Sequence, residues 1–235
     1  MCEHCGCGQP ADHHHEHDGS GHTIQIQQDV LAHDKQHADS LRHRLAELDS
    51  RLVNVIGSPG CGKTALLVEL IRRLQPQRQC LVIEGDLATS NDADRIRTTG
   101  APAYQVQTGT ACHLSAHDVE HGLEHLPLQR GALVLVENVG NLVCPSMFDV
   151  GESLRIVCLS VTEGTDKPQK YPVSFREAGL AVITKSDLLE HVDFDLDASL
   201  GMMRDIQPAI RTVVTSAKDG RGLDELASQL QALWT

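Results

Sequence analysis

Aromatic side chains are scarce, at 3% of the 235 residues, so the 40% apolar content is almost wholly non-aromatic. That content still suffices to bury a full core, and the length suits one α/β domain plus a tail. Basic charge is also short. Twenty Lys and Arg against 32 Asp and Glu give a formal charge of −12, which argues against a nucleic-acid backbone as partner and leaves metal cations as candidate ligands. No apolar run approaches membrane length, which excludes membrane insertion, and the N-terminus is polar where a signal peptide would be hydrophobic. A cytoplasmic location is expected. The eight cysteines are then thiols or metal ligands, not a disulfide framework.

What the chain does contain is a phosphate-binding loop, Gly57 Ser58 Pro59 Gly60 Cys61 Gly62 Lys63 Thr64. Leu52 to Ile56 reads as a buried strand before it, and Ala65 to Leu74 carries apolar residues at helical spacing after it. The glycines let backbone N–H groups close on phosphate oxygens, and the start of the helix adds the positive end of its dipole. Lys63 is placed to reach the outer phosphates, and Thr64 to put its hydroxyl on a bridging Mg2+. Cys61 occupies a variable position, as a small uncharged filler.

Residues 1–22 hold three cysteines and six histidines with almost no aliphatic side chains. They read as a flexible Cys/His-rich metal-binding arm. Residues 23–235 read as a P-loop NTPase domain. A leading helix is expected from about Gln27 to Leu48, with Val30, Leu31, Ala38, Leu41, Leu45 and Leu48 as its apolar stripe. Strand-like runs then alternate with helical stretches: Leu52 to Ile56, Cys80 to Glu84, Ala103 to Gln107, Ala132 to Glu137, Arg155 to Val161, Leu180 to Thr184 and Arg211 to Val214. The alternation predicts a mostly parallel sheet with helices on both faces.

Ligands of such sheets bind beyond the carboxyl ends of the strands. Asp86, in Glu84 Gly85 Asp86, and Glu137 stand at two of these ends and are candidate Mg2+ neighbours, directly or through water. Lys63, Thr64 and Asp86 form the candidate catalytic set, and no residue stands out as a base for the attacking water. The base of the nucleotide is read further on, where Thr184 Lys185 Ser186 Asp187 and Thr215 Ser216 Ala217 Lys218 follow two strand-like runs. Asp187 can accept from N1–H and the exocyclic amine of guanine, and the Ala217 amide can donate to the guanine carbonyl, a pairing that favours GTP and GDP over adenine nucleotides. Lys185, Ser216 and Lys218 complete the candidate base site. An ATP-dependent small-molecule kinase is disfavoured by Asp187.

The metal chemistry is thiol and imidazole. Cys112 and His113 are followed by His117, His121 and His125 at intervals of four, a spacing that on one helix would align the imidazoles along a face. Cys144 follows the strand ending at Glu137 and is expected to approach Cys112 at the same sheet edge. Such donors suit Ni2+ or Zn2+ over hard cations. Adjacent Cys112 and His113 cannot close a tetrahedral shell alone, so further ligands must come from Cys144, His117, water or a second subunit. In the arm, Cys2, Cys5 and Cys7 can wrap one soft divalent ion, while His13, His14, His15 and His17 form a looser cluster.

These motifs, with Thr108 Gly109, Cys112 His113 Leu114, Glu137 through Pro145, Thr162 Glu163 Gly164, Asp166 Lys167 Pro168 and Lys170 Tyr171 Pro172, resemble the HypB family of hydrogenase nickel-incorporation GTPases. The resemblance implies a GTPase that helps load nickel into nickel–iron hydrogenase and forms a homodimer promoted by nucleotide. It implies metal held near Cys112, His113 and Cys144 at the dimer interface. It also implies contacts with the hydrogenase large subunit and with other maturation proteins, including a nickel-binding accessory protein. The segment Glu163 to Pro172 matches a family loop that links that interface to the phosphates. Thr184 departs from the asparagine usual in GTPases. Two rivals are the related urease nickel GTPase, whose metal motif is Cys Pro His, and a nickel or zinc store with a non-productive nucleotide site.

Overall fold

Strand β1 (Arg51–Gly57) shows how the sheet is read from the chain. Its side chains are buried on both faces, as expected for a strand inside a parallel sheet covered by helices on each side. The computed structural model describes residues 34–86 and 91–235. Six further strands, β2 (Cys80–Asp86), β3 (Ala103–Gln107), β4 (Leu133–Glu137), β5 (Leu154–Ser160), β6 (Leu180–Thr184) and β7 (Arg211–Val214), join it in the order β3-β2-β4-β1-β5-β6-β7. Every pairing is parallel. Each strand lies within two residues of the run expected from sequence.

The helices are α1 (residues 34–47), α2 (Lys63–Leu74), α3 (Asn91–Arg97), α4 (Ala116–Glu124), α5 (Cys144–Met147), α6 (Lys167–Lys170), α7 (Pro172–Arg176), α8 (Leu196–Ile206) and α9 (Leu223–Gln231). The alternating side chains of β1 sort them onto two faces. Val53 and Val55 pack with Leu66 and Leu70 of α2 and with Leu226 and Leu230 of α9. Leu52 points the other way, toward Leu41 and Leu45 of α1 and Val119 and Leu123 of α4. Ile56 shares its cluster with Phe175 of α7 and Met203 of α8. Each fully buried aliphatic side chain contributes about 1.5–3 kcal/mol by area burial.

Helix α1 buries Ala38, Leu41 and Leu45, as its stripe predicts, and Arg42 ties it to Asp149 at 2.8 Å. The expected start at Gln27, with Val30 and Leu31, lies outside the described residues. No described helix is long and apolar enough to cross a membrane.

Candidate functional site

Between β1 and α2 the loop adopts backbone that only glycine takes readily. Gly60 has φ 73° and Gly62 φ 99°. A Cβ on Gly57 would fall 2.7 Å from the Cys61 sulfur and 2.9 Å from the Cys158 carbonyl oxygen. Cys61 thus fills the space under the loop, and burial pushes its thiol up to about 11, so it stays neutral as a filler should. Lys63 is buried and donates from Nζ to the carbonyl oxygens of Gly57 at 3.1 Å and Ser58 at 3.4 Å. Gly62, the N-cap of α2, brings no side chain to the first amides of the helix. A cationic head and uncapped amides over a curled loop make a cradle for phosphate.

The carboxylates lie directly beside it. Thr64 donates from Oγ1 to Glu137 Oε1 at 2.8 Å. Glu84 and Glu137 are register partners on β2 and β4, and both are buried with Oε2 lacking a hydrogen-bond partner. Burial, then the neighbouring Glu137 and Asp86 charges, push the Glu84 carboxyl up to about 8. Burial raises Glu137 to about 7, against the pull of Lys63 and the Thr64 hydroxyl. Two orphaned buried carboxylate oxygens beside a threonine hydroxyl form an all-oxygen donor set that fits Mg2+. Asp86 lines the same cleft of about 410 Å³, with Asp92 and Arg95. Glu84 was quoted in its motif but not expected as a site residue, because it continues the apolar run Cys80 to Ile83 to the end of the strand.

A second cavity of about 320 Å³ opens beside the loop between Thr184, Lys185, Asp187 and Ala217. Asp187 is oriented by Ser216, whose Oγ donates to Oδ1 at 2.8 Å, and Lys218 Nζ stands 3.8 Å from Oδ2. Thr184 is buried and donates from Oγ1 to the Cys61 carbonyl oxygen at 2.5 Å. Lys185, with φ 58°, donates to the Gly60 carbonyl at 2.7 Å. Thr184 and Lys185 therefore tie the phosphate loop to the carboxyl end of β6 while lining this cavity.

Cys112 and His113 do not lie on the helix with the later histidines, as their spacing suggested. Ser115 ends the helical register. Its Oγ accepts from Asp118 N at 3.1 Å, and Asp118 Oδ2 accepts from Ser115 N at 2.9 Å, a reciprocal cap that starts α4 at Ala116. Cys112 and His113 sit in the preceding turn. His113 stacks on Phe148 with ring centres 3.8 Å apart, and burial lowers its pKa, favouring neutral imidazole. Cys112 Sγ is 3.7 Å from His113 Nδ1, and the side chain of Cys144 beside it raises the Cys112 thiol. His117 instead stands edge-on to His37 at 5.1 Å, and His121 pairs with His125. Among the described residues no three Cys, His, Asp or Glu side chains converge on one metal position.

The thiol turn and the carboxylate edge are physically joined. Leu114 N donates to Asn138 Oδ1 at 3.0 Å, and Asn138 Nδ2 donates to Asn54 of β1 at 3.2 Å. A Cβ on Gly85 would fall 2.8 Å from Leu114 Cγ, so glycine between Glu84 and Asp86 is what lets the turn seat on β2. Beyond Asn138 the chain runs against the phosphate loop. Gly140 leaves room for Pro59, Asn141 bridges Gly57, and Asn141 Oδ1 accepts from Val143 N at 2.9 Å, just before Cys144.

A model of the CobW/HypB/UreG nucleotide-binding domain matches residues 51–214. Hydrogenase maturation factor HypB of Azotobacter vinelandii is 46% identical over 202 residues, covering 86% of this chain and 67% of the relative. That of Escherichia coli K12 is 43% identical over 208 residues, covering 88% and 72%. The chain belongs to the HypB family. Two HypB crystal structures superpose with a TM-score of 0.81. One, from Archaeoglobus fulgidus, is 36% identical and covers 87% of this chain and all of its own. The other, from Helicobacter pylori in complex with nickel, is 35% identical and covers 86% and 94%.

Within this HypB fold, the phosphate loop from Gly57 to Ala65, Glu137, Asp86 and the Asp187 segment lie at the carboxyl ends of β1, β4, β2 and β6. The expected arm ligands Cys2, Cys5 and Cys7, and the cluster from His13 to His17, lie outside the described residues. The contacts of Asn138 and Phe148 were not expected from sequence, since neither an asparagine after a strand nor a lone phenylalanine signals a partner 24 or 35 residues away.

Proposed function

We propose that the chain is a GTPase, converting GTP to GDP and phosphate, that assists nickel insertion into nickel–iron hydrogenase and couples metal binding to its nucleotide state. The observation that carries this reading is the continuous path from the Thr64–Glu137 hydrogen bond through Asn138 to Leu114 and Cys112. Such a path gives the two ligands a shared element to bias.

Lys63 exchanges its loop carbonyl partners for the outer phosphates and neutralises their charge, and the first amides of α2 hold the phosphate oxygens. Thr64 and Glu137, with Asp86, would hold Mg2+. When bound, that ion offsets charge on the phosphate oxygens. Asp187, oriented by Ser216, reads N1–H and the exocyclic amine of guanine, and the Ala217 amide reads its carbonyl. Catalysis by positioning alone predicts slow intrinsic turnover.

Cys112, His113 and Cys144 supply part of a Ni2+ or Zn2+ shell, and a second copy of the chain supplies the rest. Val143 and Met147 at α5 and Val173 on α7 are exposed beside Cys144, and burying such apolar surface favours a homodimer. Helix α7 is tied to this element through Ser174, which donates to the Leu142 carbonyl. Cys2, Cys5 and Cys7 form a separate site for nickel. The relatives' name, hydrogenase maturation factor, supports hydrogenase maturation as the setting, and the partners of this reading are other hydrogenase maturation proteins and the hydrogenase large subunit.

Phosphate release by the full chain tests the reading. Many turnovers of GTP per protein, with ATP a poor substrate, are expected. One turnover or less would leave a nickel store that carries nucleotide passively.

A further inference from the structure

Helix α4 carries a pair of imidazoles at its carboxyl end. We propose that His121 and His125 form a two-imidazole chelate for a borderline divalent cation of the nickel, copper or zinc class, separate from Cys112, His113 and Cys144. The two Nε2 atoms are 3.4 Å apart. Two metal–nitrogen bonds of about 2.1 Å at a tetrahedral angle span about 3.4 Å between the donor atoms, so the rings already stand at the separation a shared cation requires.

The pair is held there by packing. His125 stacks on Tyr104 with ring centres 4.6 Å apart and planes within 7° of parallel, and His121 meets the same ring edge-on at 6.0 Å. Tyr104 reaches this position because Gly122 lies above it. A Cβ there would meet Tyr104 Cδ1 and two atoms of Ile83 at 3.3 Å. Both histidines are exposed, leaving the remaining coordination positions to water. They lie at the carboxyl end of α4, where the helix dipole favours positive charge. Neutral imidazoles select borderline cations over Mg2+ or Ca2+. Cys112 precedes the other end of this helix, whose first residue, Ala116, is about 7.5 Å of helical rise from His121. The competing arrangement is a hydrogen bond in which one imidazole N–H donates to the other ring.

This site does not depend on GTP hydrolysis, so its test stands apart from the proposed function. Nickel is titrated into the full chain while the imidazole C–H resonances of His121 and His125 are followed. Both should broaden at the same metal level. His125→Asn should raise the nickel concentration that broadens His121 by at least about tenfold, and His121→Asn should do the same for His125, because each ring alone loses the chelate advantage. His117→Asn should change neither. An unaltered His121 response in His125→Asn, broadening of one ring only, or an equal effect of His117→Asn would overturn the chelate and leave the hydrogen bond.

Discussion

Leu114 N donates to Asn138 Oδ1 at 3.0 Å across 24 residues of sequence, and this bond fastens the turn carrying Cys112 and His113 to the residue after Glu137. Asn138 is buried and satisfies three partners, since Val139 N also donates to Oδ1 and Asn54 accepts from Nδ2. Asn138→Ala should therefore cost about 1–3 kcal/mol in denaturant unfolding, the range for orphaning buried polar groups. It should also weaken any influence of nucleotide on metal binding. Unchanged stability would show that the turn does not depend on this bond.

Lys63→Ala should abolish GTP hydrolysis, because the ammonium held over the loop by the Gly57 and Ser58 carbonyls is the charge that meets the phosphates. Nickel bound through Cys2, Cys5 and Cys7 should be unaffected. Single-turnover phosphate release at the parent rate would remove Lys63 from the mechanism.

Asp187→Asn should lower the ratio of GTP to ATP affinity at least about tenfold, since an amide cannot accept both guanine hydrogens. Ser216→Ala should act in the same direction but less, because Ser216 only orients the carboxylate. Competition binding with both nucleotides measures it. A constant ratio in Asp187→Asn would place base recognition elsewhere.

The pair Glu84 and Glu137 makes a pH prediction for protein free of divalent cations. Both carboxyls titrate higher when folded, at about 8 and about 7, than the ordinary value near 4.3. The folded state thus binds more protons than the unfolded state across that window. Stability is full below about pH 4 as far as these groups are concerned, and it falls as pH rises through 7 and 8. Glu84→Gln should flatten the fall and raise stability at pH 8 by on the order of 1 kcal/mol or more. Mg2+ should restore stability selectively at the high end, because it binds the deprotonated carboxylates. Urea unfolding from pH 5 to 8.5, with and without Mg2+, checks this. A profile that is flat without Mg2+ would contradict it.

The sheet was legible because its strands are short apolar runs, such as Leu180 to Thr184, separated by helical spacing, and both signals are local. The phosphate loop was legible for the same reason, since Gly60, Gly62, Lys63 and Thr64 act within one turn of backbone. The metal turn was not. A four-residue histidine spacing suggested one helix through His113, but Ser115 and Asp118 cap α4 between them. Thr184 binds the Cys61 carbonyl, a partner 123 residues away that no local pattern reveals. Glu84 stayed hidden for a related reason, because its importance comes from register with Glu137 across two strands.

The central claim is that nucleotide state sets metal affinity through the chain from Glu137 to Cys144. The most direct measurement is nickel affinity by chelator competition, in the GDP form and in the form bound to a GTP analogue, using full chain whose Cys2, Cys5 and Cys7 are replaced by serine. Coupled sites typically differ by 1–3 kcal/mol, about fivefold or more. The affinities should differ by at least about that factor, and Cys112→Ala or Cys144→Ala should erase the difference. Equal affinities in both nucleotide states would contradict the account and leave a nucleotide-binding protein that carries nickel independently.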